Sequence, residues 1–290
     1  MSDIIETFGQ SRIQHGDYND RIYLMKLHAT DLPGIVPDLI DLAREKGYSK
    51  IFAKVPASAR APFLEHDFQE EATIPRFFRG ADDACFLGRY FSADRARESR
   101  PQQVADVLAT ARRKNTIQDT PALDSDFRLR SAAAVDLNGM AVVFREVFPT
   151  YPFPIHDPDY LRRTMDGHVR YFIVERDGEI IAVSSAETDP DNLNVEMTDF
   201  ATLPRYRGHG LAVHLLVLME EEMRREGFIT AYTIARAYSF SMNITFSKLG
   251  YDYSGTLTHN TNISGALESM NIWHKPLAGD EDHPATDHAE

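Results

Sequence analysis

Residues 194–226 constrain this chain more than any other stretch. They read as a strand (195–202), a turn Pro204-Arg205-Tyr206-Arg207-Gly208-His209-Gly210, and a long helix from Leu211. Apolar residues at 212, 215, 216, 219 and 223 form a stripe of helical period, and Gly227 supplies the stop. A strand that breaks into a glycine turn and restarts as a helix leaves several backbone N–H groups unpaired, with the positive end of the helix dipole behind them. That is an anion site, most naturally for a phosphate. Gly208 and Gly210 let the backbone approach a ligand without a Cβ in the way, and Arg207, with His209 when protonated, adds charge.

Composition narrows what such a site serves. With 290 residues and 43% apolar side chains the chain can bury one large core or two ordinary ones. The single cysteine, Cys85, excludes an intramolecular disulfide framework and a Cys-rich metal site. The start Met1-Ser2-Asp3-Ile4-Ile5-Glu6-Thr7 is too polar for a signal peptide, and no stretch approaches the roughly 18 unbroken apolar residues of a membrane span. A cytoplasmic protein is expected. The net charge of -13 opposes binding to nucleic acid or an anionic membrane; it suits solubility, or a cationic or zwitterionic small molecule. His15, His156, His168 and His274 have no ligand spacing, so no metal is expected.

Taken in order, the chain reads as two α/β domains. In the first (1–115), a strand at 21–27 leads to Asp31 as N-cap of a helix through Lys46, closed by Gly47. Strands at 51–55, 68–78 and 84–90, a short helix at 59–65 and a charged helix at 101–114 complete it. Residues 116–126 read as a linker, and the acidic tail 278–290, without apolar anchors, as disordered. The second domain (127–277) runs β-α-α-β-β-β-α-β-α-β-β, with an Asp177-Gly178 hairpin turn between its second and third strands. A weak repeat links the two. A helix, Gly47-Tyr48, a strand and Phe63-Leu64-Glu65-His66-Asp67-Phe68 parallel a helix, Gly227-Phe228, a strand and Phe246-Ser247-Lys248-Leu249-Gly250-Tyr251. The first domain lacks the glycine turn.

Three glycine-loop readings compete. A P-loop needs Gly-Lys-Ser/Thr, and Gly210-Leu211-Ala212 fails that. A Rossmann fingerprint wants a small residue at Val213 and an acid about 20 residues on, and neither is present. An acyl-coenzyme A site remains. Arg207-Gly208-His209-Gly210-Leu211-Ala212 matches the Arg/Gln-x-x-Gly-x-Gly/Ala signature of the GNAT N-acetyltransferase superfamily, and the element order over 125–277 is similar to that fold. The resemblance implies a mixed central sheet with flanking helices, the first domain being a degenerate half-copy. It further implies that the pyrophosphate of acetyl-CoA rests on the backbone of Arg207 to Ala212. The pantetheine arm would pair with Phe200, Ala201 and Thr202, and Asn243 and Phe246 would meet it from the later helix.

Acetyl transfer to an alkyl amine needs a neutral nucleophile, whereas such an amine, of pKa about 10.4, is almost wholly protonated at neutral pH. A base is required. Glu196 is favoured and Asp199 is second; three residues apart, they fall on opposite faces of a regular strand, so one faces the groove unless the strand is bulged. Either could instead hold the substrate ammonium. GNAT enzymes often carry a tyrosine as general acid four residues before the last helix's glycine; here that residue is Phe246, leaving Tyr232, Tyr238 and Tyr251 as substitutes.

The whole chain resembles the beta-lysine N-acetyltransferase family more narrowly. The resemblance lies in Ile13-Gln14-His15-Gly16, Asn19-Asp20-Arg21-Ile22-Tyr23-Leu24-Met25-Lys26-Leu27, Lys50-Ile51-Phe52-Ala53-Lys54-Val55-Pro56, Asn260-Thr261-Asn262-Ile263-Ser264-Gly265 and Glu268-Ser269-Met270-Asn271. It implies acetylation of the side-chain amine of beta-lysine (3,6-diaminohexanoate) to a net-neutral compatible solute. Asn260, Asn262, Glu268 and Asn271, with Glu196, are the expected acceptor-binding residues, although the three asparagines and Glu268 could equally cap turns. Lysine, ornithine or a polyamine as acceptor, and an acyl-CoA sensor without turnover, are the alternatives. The first domain could complete the acceptor pocket, mediate a homodimer or brace the second.

Overall fold

The computed structural model describes residues 3–115, 122–263 and 265–277; the expected tail and residues 116–121 of the expected linker lie outside the described residues. The first half contains β1 (Ile4–Phe8), β2 (Ser11–Gly16), β3 (Arg21–Lys26), α1 (Ile35–Lys46), β4 (Lys50–Pro56), α2 (Ala61–Leu64), β5 (Gln69–Phe78) and β6 (Asp82–Tyr90). Helices α3 (Ala93–Ala96) and α4 (Pro101–Arg113) follow. The second half contains β7 (Arg128–Ser131), α5 (Leu137–Val147), α6 (Pro158–Met165), β8 (Val169–Arg176), β9 (Glu179–Asp189) and β10 (Asn194–Thr202). It ends with α7 (Leu211–Arg225), β11 (Thr230–Arg236), α8 (Phe240–Lys248), β12 (Asp252–Ile263) and β13 (Ala266–Pro276). This is the expected order for the second half, element for element.

All 13 strands of the described residues join one sheet, ordered β1-β2-β3-β4-β6-β5-β12-β13-β11-β10-β9-β8-β7. Read outward from the β5/β12 contact, the halves have the same plan. The parallel pair β3/β4 answers β10/β11, and the antiparallel pairs β4/β6 and β5/β6 answer β11/β13 and β12/β13. Helix α1 answers α7; each ends at a glycine in the left-handed region, Gly47 at φ 74° and Gly227 at φ 88°. The weak repeat of the sequence is therefore a structural pseudo-dimer within one chain.

The halves meet where Gly255 of β12 pairs with Ala72 of β5. A Cβ at Gly255 would lie 2.1 Å from the carbonyl oxygen of Glu71, so this approach requires glycine. A shared core of Phe52, Ala72, Ile74, Phe77, Phe86, Tyr232, Leu257, Met270 and Ile272 backs the seam. Each half also has its own core, under α1 in the first and under α5 and α7 in the second. Helix α4 lies before the expected domain boundary but packs on α8; Ala111 belongs to the second half's core and its carbonyl accepts a 2.9 Å hydrogen bond from Ser247 Oγ.

One local expectation differs from the structure, and one element is unexpected. Asp31 caps no helix with its side chain; it accepts from Gln10 N at 2.9 Å and Ser11 Oγ at 2.6 Å, and α1 starts after Gly34. The hairpin β1–β2 has no counterpart in the sequence reading, because its outer strand is exposed and shows no apolar alternation. No helix among the described residues is long and apolar enough to cross a membrane.

Candidate active site

Strands β10 and β11 pair in parallel only from Asn194/Thr230 to Glu196/Tyr232 and then part. Beyond Glu196, β10 keeps its partner β9 but shows an unpaired edge towards the opening wedge. The cause is a bulge: the β9/β10 register shifts between Thr198 and Ala201, and Asp199 adopts φ 53°. It turns the strand so that Glu196, Thr198 and Asp199 line one cavity, and both carboxylates expected on opposite faces share one site.

At the C-terminal end of β10 the chain passes through one 3₁₀ turn (Pro204–Tyr206) to Gly208 at φ 92° and Gly210 at φ 70°, the residue before α7. No side chain of the described residues caps α7. Among the described residues the backbone N–H groups of Gly208, His209, Gly210, Leu211 and Ala212 have no protein acceptor, and a Cβ on either glycine would meet nothing within 4 Å. An open cradle of free donors at a helix N-terminus, continuous with a free strand edge, fits the pyrophosphate and pantetheine of acetyl-CoA.

The wedge opens into a cavity of about 400 Å³ between the two halves. The second half supplies its carboxylates (Glu187, Asp189, Asp191, Glu196, Asp199), and the first half supplies its lysines and arginines (Arg12, Arg21, Lys26, Lys54). Tyr23, Phe52, Tyr151, Phe153 and Tyr232 are its aromatic walls. Asp199 accepts from Ser185 Oγ at 2.6 Å and from the Tyr151 hydroxyl. Glu187 lies directly across the ladder from Glu196. Lys54 Nζ donates to Tyr232 Oη at 3.2 Å and lies 5.6 Å from the Phe77 ring centre.

Burial pushes all three inner carboxyls up. For Glu187 the charges of Glu196 and Asp199 add to burial and bring it to about 8. Lys54 and Tyr232 oppose the rise at Glu196, and the Ser185 and Tyr151 hydrogen bonds oppose it at Asp199. The folded value of Glu187 lies above its ordinary 4.5, so its contribution to stability is full below that pH and lost as pH rises through about 8. Glu187→Gln is accordingly expected to raise the melting temperature at pH 8 by more than at pH 5, as calorimetry would read. An equal shift at both pH values would remove the raised carboxyl.

The other expected residues fall into two groups. Asn260 joins Glu196 and Asp199 at the cavity. Asn262 instead ties the halves: its N–H donates to Asn19 Oδ1 and its Nδ2 to Tyr18 O, both at 2.7 Å. Glu268 pairs with Arg236 at 2.7 Å, and Asn271 bridges Thr256 and Asn243. Asn243 is fully committed: its Nδ2 donates to Arg236 O and Ser239 O, and its Oδ1 accepts from Asn271 Nδ2 and Trp273 Nε1. Phe246 is buried edge-on between Phe200 and Tyr251. Of the three tyrosines weighed as proton donors, Tyr232 lines the cavity, Tyr238 bonds Glu98, and Tyr251 lies in the core. Sequence reasoning missed Glu187, which reaches the site through the β9/β10 register, and Tyr151, Arg21 and Lys54, which come from elements further away in the chain.

A splayed parallel pair, a bulged strand and a glycine turn opening a helix define a GNAT acetyltransferase, and residues 140–251 match the acetyltransferase (GNAT) family. The chain is 41% identical to the beta-lysine N(6)-acetyltransferase of Methanococcus maripaludis over 95% of its own length and 99% of that protein's. It is 39% identical to the enzyme of the same name from Methanosarcina mazei over 53% of the chain and 57% of that protein. It is 31% identical to the N-acetyltransferase YodP of Bacillus subtilis over 91% and 95%. The chain belongs to the beta-lysine N(6)-acetyltransferase family.

Proposed function

We propose that this protein transfers the acetyl group of acetyl-CoA to the N6 amine of beta-lysine. The observation that carries the reading is the segregation of charge in the cavity, acids from the second half and bases from the first. A dipolar acceptor with separated ammonium and carboxylate groups is complementary to it, whereas a polyamine would leave the basic wall facing like charge. The homologous proteins bearing the beta-lysine name favour the same substrate.

Acetyl-CoA, held on the 208–212 backbone and the free edge of β10, supplies an activated acetyl group. Glu196 stands at the last residue before the strands part and takes a proton from the N6 ammonium, directly or through water. Glu187 and Asp199 flank the ammonium and hold it in the wedge. Tyr232 sits opposite Glu196 on β11, and its hydroxyl, bonded by Lys54, is the proton donor for the departing sulfur. The product carries one positive charge fewer than the substrate and is a net-neutral zwitterion, suited to accumulation as a compatible solute.

Coenzyme A release measured over beta-lysine, lysine, ornithine and spermidine tests the substrate. The highest kcat/KM is expected for beta-lysine, with acetylation at N6 read by NMR; much faster turnover of the polyamine would overturn the reading, and binding of coenzyme A without turnover of any amine would favour a sensor. A Gly210→Val variant tests the cofactor cradle. A β-branched residue at φ 70° costs about 1–2 kcal/mol and intrudes on the donors. The KM for acetyl-CoA is expected to rise about tenfold or more, with the KM for the amine little changed.

A further inference from the structure

The first half contributes something more specific than a wall. Arg21, on β3, is 5% exposed. Its Nη1 donates to the Asn260 carbonyl and, at 3.3 Å, to Thr261 Oγ1. Among the described residues its buried Nε has no acceptor, and Nη2 has none either. The other strongly buried cations differ: Lys50 pairs with Glu71 at 2.9 Å and Arg95 with Asp20 at 3.2 Å. No carboxylate of the described residues lies within ion-pair distance of Arg21, which instead packs over the Tyr23 and Phe52 rings. A buried guanidinium lacking a counter-charge costs free energy unless a ligand supplies one. The Nε/Nη2 edge is the fork that binds a carboxylate in bidentate fashion. Beside it, Asn260 Oδ1 is also buried with no partner among the described residues, and both residues line the cavity. A cationic fork next to an unpaired amide oxygen presents the complement of a carboxylate with an ammonium two carbons away.

We propose that Arg21 and Asn260 form the subsite for the head of the acceptor, Arg21 taking the carboxylate and Asn260 Oδ1 the C3 ammonium, so that the half-copy without a cofactor cradle selects amino acids over simple diamines. This inference rests on the proposed beta-lysine reading. The head is held across the cavity from the carboxylates of β9 and β10, which sets N6 at the wedge and keeps the C3 amine out of it. Regiochemistry then follows from where the head binds.

Two analogues separate the contacts: 1,4-diaminopentane, which is beta-lysine without its carboxylate, and 6-aminohexanoate, which lacks the C3 amine. In the unaltered protein both are expected to have KM values about 10- to 100-fold above that of beta-lysine, the range of a hydrogen bond to a charged group. Arg21→Lys and Arg21→Gln are expected to reduce the kcat/KM ratio of beta-lysine to 1,4-diaminopentane by a similar factor, through KM, with the lysine variant less affected. Asn260→Ala is expected to reduce the ratio of beta-lysine to 6-aminohexanoate. If 1,4-diaminopentane binds the unaltered protein as tightly as beta-lysine, or the Arg21 variants lose both substrates in equal proportion, the head-group assignment is overturned. If beta-lysine itself is not acetylated, the substrate reading fails instead.

Discussion

Glu196→Gln is expected to lower kcat by about 100- to 10,000-fold, the usual contribution of a positioned base, with KM for acetyl-CoA little changed. The amide keeps the shape of the side chain and can still hydrogen-bond, but it cannot accept the ammonium proton. The pH profile gives a second readout. Burial first, then the charge of Asp199, holds Glu196 above the ordinary carboxylate range, while Lys54 and Tyr232 restrain it. The acidic limb of kcat/KM should therefore lie above the usual carboxylate range and should vanish or move in the variant. Glu187, Glu196 and Asp199 interact, so the limb belongs to the group rather than to one residue. A Glu196→Gln protein with near-normal kcat and a raised KM for the amine would show that Glu196 only holds the ammonium. The base would then be sought at Glu187 or Asp199.

The second half was nearly all legible in the sequence because its signals are local. A helix stripe ended by Gly227, an Asp177-Gly178 turn and a glycine-interrupted helix start are each written in a few adjacent residues, and each stands where it was read. The cofactor cradle shares that property. The acceptor side does not: Glu187 meets Glu196 only through the β9/β10 register, and Arg21 and Lys54 reach the cavity only because β5 and β12 join two halves into one sheet. The bulge at Asp199 is likewise a tertiary event. The sequence offers a strand with two carboxylates three apart, and only the register shift puts both on one face. The polar cluster at 260–271 divided for a similar reason. Asn262, Glu268 and Asn271 found partners on neighbouring strands, while Asn260 was left with an unpaired oxygen in the cavity.

Lys50→Met is expected to be the most destabilising single change at the seam, by about 3–5 kcal/mol. At roughly 2–4 °C per kcal/mol for a chain somewhat smaller than this one, that is a fall in melting temperature of about 10 °C. Lys50 is fully buried on β4 and its ammonium donates to Glu71 at 2.9 Å and to the Thr258 carbonyl at 2.8 Å. Glu71 in turn accepts from Thr258 N at 2.8 Å and from the Tyr90 hydroxyl. These groups stitch β4, β5 and β6 of the first half to β12 of the second, next to the Gly255/Ala72 bridge where the sheets meet. Methionine fills the space but leaves the Glu71 carboxylate buried without its counter-charge. Adding Glu71→Gln removes that charge while retaining an acceptor for Thr258 and Tyr90, so the double variant should recover part of the loss. A double variant as unstable as the sum of its single changes would show that the ion pair is not the coupling element. The catalytic consequence follows from the cavity belonging to both halves. A loosened seam should raise the KM for the acceptor, whose head is held by Arg21 of the first half and Asn260 of the second, more than that for acetyl-CoA, whose cradle lies wholly in the second. Equal effects on both would mean that Lys50 supports the fold without positioning the two walls of the cavity.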